Sequence, residues 1–186
     1  MAVISWGKPE IYIGAAGAVP AASSPVASFY KLSTPVEDST NLTGEDGEKI
    51  EAKIEGGGNE ATKYKDATFE LTMKVRMALD TVGNSESLRR LPIPLYKTSG
   101  ANETEYTADN VAVVLIPENN KAPGFFCPDC SVSIKETFTT ADGAMWEITL
   151  NPNTPASGKA VQWNQYYAGT ISSNKYPINI GVKSGS

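Results

Sequence analysis

Apolar and polar residues alternate along much of this chain with the period of a β-strand. From Thr68 to Met77, the residues Phe69, Leu71, Met73, Val75 and Met77 fall on one face and Thr68, Glu70, Thr72, Lys74 and Arg76 on the other. Successive strand side chains point to opposite sides of a sheet, so the run predicts one buried and one wet face. Lys49 to Glu55 repeats the pattern, with Ile50, Ala52 and Ile54 opposite Glu51, Lys53 and Glu55. The connection holds Gly56-Gly57-Gly58-Asn59 and a polar stretch to Lys65, and the two runs read as one long charged hairpin. Its mixed-charge face, formed by Lys49, Glu51, Lys53, Glu55, Glu70, Lys74 and Arg76, suits a side that lines or paves a surface and points to assembly more than to chemistry.

Further strands follow from the same period. Glu10–Gly14 alternates around Ile11 and Ile13, and Phe29–Leu32 is a shorter run. Val111–Ile116 is continuously apolar, as expected of a strand buried on both faces. Ser131–Phe138 puts Val132, Ile134 and Phe138 on one side. Asp142-Gly143 then marks a tight turn, and Ala144–Leu150 returns with Trp146, Ile148 and Leu150 inward. Val161 with Trp163, and Tyr176 with Ile178, Ile180 and Val182, complete the series. The predicted fold is all-β, an antiparallel β-sandwich or barrel with a long hairpin and one short flanking helix, in a single domain over residues 1–186. The helix is expected at Asn84–Leu91, capped by Ser85 and ended by Pro92. Ala16–Val26 and Ala101–Asn110 read as loops.

Composition narrows the function. The net charge is −5, whereas duplex-binding proteins are normally basic because affinity comes from neutralising phosphates. Adhesive nucleic-acid binding is therefore not expected, although DNA sliding past an acidic surface is compatible. The charge is lopsided: residues 37–60 hold Glu37, Asp38, Glu45, Asp46, Glu48, Glu51, Glu55 and Glu60 against Lys49 and Lys53, while residues 159–186 hold Lys159, Lys175 and Lys183 and no acid. Opposite patches on one molecule suit head-to-tail stacking, and scattered solvated charge is the equally available reading. No apolar run approaches the roughly 20 residues a membrane span needs, and the N-terminus lacks the basic start of a secretory signal.

Chemistry has few carriers. The chain has no histidine, which removes the Ser-His and Cys-His nucleophile systems. Neighbouring acids such as Glu103 with Glu105 and Glu37 with Asp38 sit in polar segments where solvation is the ordinary state, and Gly56-Gly57-Gly58 lacks the spacing and lysine of a phosphate loop. Cys127-Pro128-Asp129-Cys130 is compatible with plain structural thiols in a turn, a local disulfide, or half of an intersubunit metal site; a closed zinc site needs two more ligands than these thiols supply. Trp163, Tyr166 and Tyr167 form either an aromatic binding platform or core and rim packing. No catalysis and no cofactor are expected.

Three segments resemble the major tail tube proteins of long-tailed phages and prophages of gut bacteria: Ile4-Ser5-Trp6-Gly7-Lys8-Pro9, the stretch from Thr34-Pro35-Val36-Glu37-Asp38-Ser39-Thr40 to Glu51-Ala52-Lys53-Ile54-Glu55-Gly56-Gly57, and Thr139-Thr140-Ala141-Asp142-Gly143-Ala144-Met145-Trp146. The match is concentrated in residues 1–77 and 137–150. The resemblance implies a structural protein of the virion tail, assembled in the host cytoplasm. It also implies hexameric rings in which each subunit gives strands to a continuous inner β-barrel. Such rings stack head-to-tail, meet other tail proteins and pass DNA without binding it specifically; no membrane is involved. Ala15–Val26, Gly56–Lys65 and the C-terminus are its candidates for contacts between rings. The Cys-Pro-Asp-Cys segment lies outside this pattern. The contrasting expectation is an extracellular β-sandwich that binds a glycan or an adhesion partner through Trp163 and Tyr166.

Overall fold

The computed structural model describes residues 7–21, 28–32, 35–47, 49–53, 59–77, 80–82, 85–87, 93–99, 103–106, 109–119, 121–169 and 178–183. The described strands begin with β1 (Glu10–Ala15), β2 (Phe29–Lys31), β3 (Asn41–Glu45), β4 (Lys49–Lys53), β5 (Asn59–Tyr64) and β6 (Thr68–Arg76). Next come β7 (Asp80–Val82), β8 (Ser85–Ser87), β9 (Tyr96–Ser99), β10 (Glu103–Tyr106) and β11 (Val111–Ile116). The chain continues through β12 (Gly124–Thr139), β13 (Gly143–Pro152), β14 (Gln162–Asn164), β15 (Tyr166–Ala168) and β16 (Ile180–Val182). A 3-10 turn at Ile93–Leu95 is the helical element among the described residues. The predicted helix over Asn84–Leu91 is corrected: Ser85–Ser87 is a strand antiparallel to β7, and the rest of that segment lies outside the described residues. The predicted loop at Ala101–Asn110 likewise contains β10, antiparallel to β9.

The protein is all-β and antiparallel. Its main sheet runs β2-β1-β11-β12-β13-β6-β3, with β14 also on β12, and its two end strands do not pair, so the barrel is not closed. Ile11, Ile13, Val111, Val113 and Phe125 share one buried cluster with Leu71, Met73, Val75, Trp146, Ile148 and Leu150. In a flat sheet β1 and β6 would lie roughly 19 Å apart, four strand spacings, with this apolar face open to water. The sheet instead folds over and covers itself, as a sandwich does. The opposite face of β1, β11 and the start of β12 carries Tyr12, Ala112, Val114, Ile116 and Phe126, which pack with Tyr166, Ile178 and Ile180 from the β15–β16 end of the chain. Burial on both faces explains the unbroken apolar run of β11.

The longest hairpin is formed by β12 and β13, in register from Cys130↔Pro152 to Thr139↔Gly143. The two charged runs do not pair with each other as expected. β4 pairs with β5 in a separate two-stranded sheet, while β6 lies between β13 and β3. Alternation identified β6 as a strand with one buried face, but period two is identical for every neighbour of matching polarity, and the nearest run in sequence was the wrong partner.

At the hairpin tip Gly143 has φ 77°, and the Thr139 hydroxyl accepts from the Asp142 N–H at 3.0 Å while donating to its carboxylate at 3.2 Å. A side chain at Gly143 would meet nothing within 4 Å, so substitution there tests backbone conformation alone. Gly143→Ala is expected to cost about 1 kcal/mol of stability, and Gly143→Asn less, in urea unfolding, because left-handed backbone is unfavourable for a residue with a Cβ and least so for Asn.

β12 also changes partners along its length. Phe125, Phe126 and Cys127 pair with Leu115, Val114 and Val113, then the register shifts so that Cys130 faces Val111. Pro128 and Asp129 thus oppose Ala112 alone, which makes Cys-Pro-Asp-Cys a β-bulge inside a strand and not a turn. A bulge bends its strand and tolerates a proline, which has no N–H to give the ladder. Here it marks the place where β12 leaves β11 and continues with β13.

Candidate assembly surface

The second half of β12 with β13, β6 and β3 makes a four-stranded sheet with two different faces. Registers place Val132/Leu150/Leu71/Leu42 and Ile134/Ile148/Met73 in cross-strand rows on the core side. The outer side carries Ser133/Thr149/Thr72/Asn41, Lys135/Glu147/Lys74 and Thr43/Glu70. Lys135, Lys74 and Arg76 are matched there by Glu147, Glu70 and Glu45, so this face is charge-balanced. The Lys74 ammonium sits 2.9 Å from Glu147, whose hydrogen bond and charge raise its pKa. Arg76 donates to the Asp142 carbonyl at 2.8 Å and so ties β6 to the hairpin turn.

Of the residues expected to share a charged face, Glu70, Lys74 and Arg76 lie on this outer side. Lys49, Glu51 and Lys53 belong to β4 in its own sheet, and Glu55 lies outside the described residues. Lys135 and Glu147 were missed, although the polar alternation of Ser131, Ser133 and Lys135, and of Glu147, Thr149 and Asn151, already placed them opposite the core.

The edges of this sheet are its other feature. Cys130 pairs on one side with Val111 and on the other with Pro152. Beyond it Ser131–Thr139 pairs with β13, and no described strand lies on the β11 side. At the far end β3 pairs with β6, and no described strand lies beyond it. Near the tip the core-side row ends with Phe138, which is 72% exposed.

The remaining chemical candidates separate clearly. Cys127 and Cys130 are both free and fully buried. No group of three or more metal-ligand residues occurs among the described residues. Glu37 and Asp38 are exposed. Tyr166 does not stand on an aromatic platform: it is buried, donates to the Gln162 carbonyl at 3.0 Å and has its hydroxyl pKa pushed up to about 12 by burial and by the nearby Cys127. Trp163 is 60% exposed and packs edge-on against Phe125 at 5.4 Å.

A cleft of about 700 Å³ lies between the start of β1, the end of β11 and β15. On its wall Glu10 receives Lys31 at 2.5 Å and the Tyr12 hydroxyl at 2.7 Å. Burial by itself would raise the Glu10 pKa, but these two hydrogen bonds and the Lys31 charge outweigh it and hold the carboxyl below its ordinary value of 4.5. A depressed folded pKa stabilises the fold above the unfolded value, and that contribution is lost as pH falls through the folded one. The melting-temperature advantage of the wild type over Glu10→Gln is therefore expected to be constant above about pH 5 and to shrink below it. Calorimetry across that range checks the sign.

Comparison with protein-family models and with curated proteins returns no match.

Proposed function

We propose that this chain is a structural subunit that closes into rings through the edges of its four-stranded sheet, and that the rings stack into a phage tail tube through which DNA passes. The observation that carries the reading is the pair of edges without described strand partners on a sheet whose core face is apolar and whose outer face is polar and charge-balanced. Exposed edges are hazardous in a monomer unless something covers them, and a ring of copies covers each with the next. Strand direction suits this closure. β12, β13, β6 and β3 alternate in direction, so β3 runs opposite to β12. A copy rotated about an axis along the strands presents its β12 antiparallel to that β3, which is ordinary antiparallel pairing.

Closed barrels also need a stagger between strands. Asn41 lies level with Ser133 through Thr72 and Thr149. From that level β3 extends toward the bulge, and the unpartnered part of β12 toward the tip. In a closed ring the outer face, with Glu70, Lys74, Arg76, Lys135 and Glu147, faces the lumen. Balanced charge there gives the DNA backbone little to hold, because retention scales with the number of phosphates neutralised. Six subunits per ring, ring-to-ring contacts through Ala15–Val26 and Gly56–Lys65, and further tail proteins at the tube ends belong to the same proposal.

Lys74→Glu combined with Arg76→Glu tests the lumen assignment. Both side chains are on the wet face, so the double variant is expected to fold while losing its match to Glu147 and its tie to Asp142. Altered tubes or reduced genome delivery are the expected result; unchanged tubes and delivery would count against this face.

The exposed Trp163 ring is the feature that favours a glycan-binding module instead. On that reading the protein stays monomeric and Trp163→Ala abolishes binding on a glycan array.

A further inference from the structure

In a regular strand Cys127 and Cys130 would point to opposite faces with their Cα atoms about 10 Å apart. The one-residue bulge at Pro128 and Asp129 returns both to the same face, where they lie in a single apolar cluster. Residues two apart on a strand have Cα atoms roughly 6.6 Å apart. That lies near the upper end of the range a disulfide spans, roughly 4.4–6.8 Å. The two thiols interact: the Cys130 S–H donates to the Cys127 sulfur, and that bond, then burial, then the neighbouring negative charge of Cys127 and Asp129, push the Cys130 pKa up and keep it protonated. Bulky reagents have no path to thiols buried this completely. The bulge interrupts the ladder beside them: Pro128 and Asp129 are half-buried and unpaired with β11, and the buried Asp129 Oδ1 has no hydrogen-bond partner.

We propose that Cys127 and Cys130 are an oxidation site for small neutral peroxides, closing into a disulfide that fastens the bend of β12. One sulfur, losing its proton, attacks a peroxide oxygen; the O–O bond breaks, leaving a sulfenic acid and hydroxide that becomes water. The adjacent thiol attacks the sulfenic sulfur, the S–S bond forms, the S–O bond breaks and a second water leaves. Two thiols are oxidised and one hydrogen peroxide is reduced to two waters. Because the second thiol lies beside the first on the same face, resolution outruns further oxidation of the first. The bond ties together the two residues between which β12 passes from β11 to β13.

The test is to treat the folded protein with hydrogen peroxide, denature it, alkylate it and analyse the peptide holding both cysteines by mass spectrometry. The expected peptide has lost two hydrogens, takes up no alkylating agent and takes up two equivalents after reduction. In Cys130→Ser, Cys127 is expected to carry added oxygen instead. A bulky aromatic disulfide reagent should leave the native wild-type thiols unreacted. The proposal is overturned if both cysteines remain alkylatable at peroxide doses that oxidise Met77, or if both gain oxygen without forming the disulfide. Neither readout depends on tube assembly.

Discussion

Val75→Glu is expected to abolish the fold. Val75 is fully buried in β6, directly opposite the buried Trp146 and in one cluster with Met73 and Ile148. A carboxylate there has no described partner. It must either stay charged in an apolar surrounding or take up a proton; raising its pKa by three units costs about 4 kcal/mol, and crowding the packed core costs about 1–3 kcal/mol more. A domain with about 5–15 kcal/mol of total stability loses most of it. The expected observation is insoluble protein, or a chain without a cooperative thermal transition, with partial recovery in acid where the group is neutral. Val75→Ala should fold with a lowered melting temperature. The sharpest contrast lies with its two neighbours: the same new charge at Lys74 and Arg76, one position to either side, is expected to leave the fold in place because those side chains are on the wet face.

Proline substitutions along Ser131–Thr139 are expected to separate folding from assembly. This stretch of β12 pairs only with β13 among the described residues. In an antiparallel pair, alternate residues turn their N–H toward the partner and the others turn it away. A proline of the first kind breaks the β12–β13 ladder and costs about 3 kcal/mol or more. A proline of the second kind removes only an outward N–H, at a cost on the order of 1 kcal/mol, and edge strands tolerate it. Ser131, Ser133, Lys135 and Thr137 form one set and Val132, Ile134, Glu136 and Phe138 the other. One set should lose its thermal transition. In the other, Glu136→Pro and Phe138→Pro, whose side chains are exposed, should keep it and yet fail to form rings, because the outward N–H groups are what the next copy pairs with; prolines at Val132 and Ile134 also remove side chains packed on the core. Circular dichroism reads the first property and sedimentation the second. Assembly at wild-type levels in every folded variant would show that this edge is not the ring contact.

The two substitution sets mark where sequence was informative and where it was not. Period two identified β1, β6, β13 and the second half of β12, and the unbroken apolar run identified β11; the first half of β12, from Gly124 to Cys130, was missed, and Asp142-Gly143 marked the hairpin turn. Partner choice was the weak point. The Thr68–Met77 pattern is satisfied equally by β4, β13 or β3, and the fold selects the last two from distant parts of the chain. β3 was missed because Asn41-Leu42-Thr43-Gly44-Glu45 has one apolar residue and a glycine, the composition of a polar edge. β5 was missed because Asn59-Glu60-Ala61-Thr62-Lys63-Tyr64 is mostly polar and follows three glycines, so it read as part of the connection. Cys-Pro-Asp-Cys read as a turn because proline between two cysteines is ordinary turn composition; only the register with β11 exposes it as a bulge. Of the assembly surface, the polar side of β6 was visible at once. Its extension through Glu147 to Lys135 needed the pairing of β13 with β6, which no local pattern encodes.

The most direct measurement is negative-stain electron microscopy of the purified protein over a wide concentration range. The account predicts rings or hollow tubes, with subunit number and inner diameter then readable from the images. A protein that stays monomeric at every concentration, with the edges of β3 and β12 open to solvent, would contradict it.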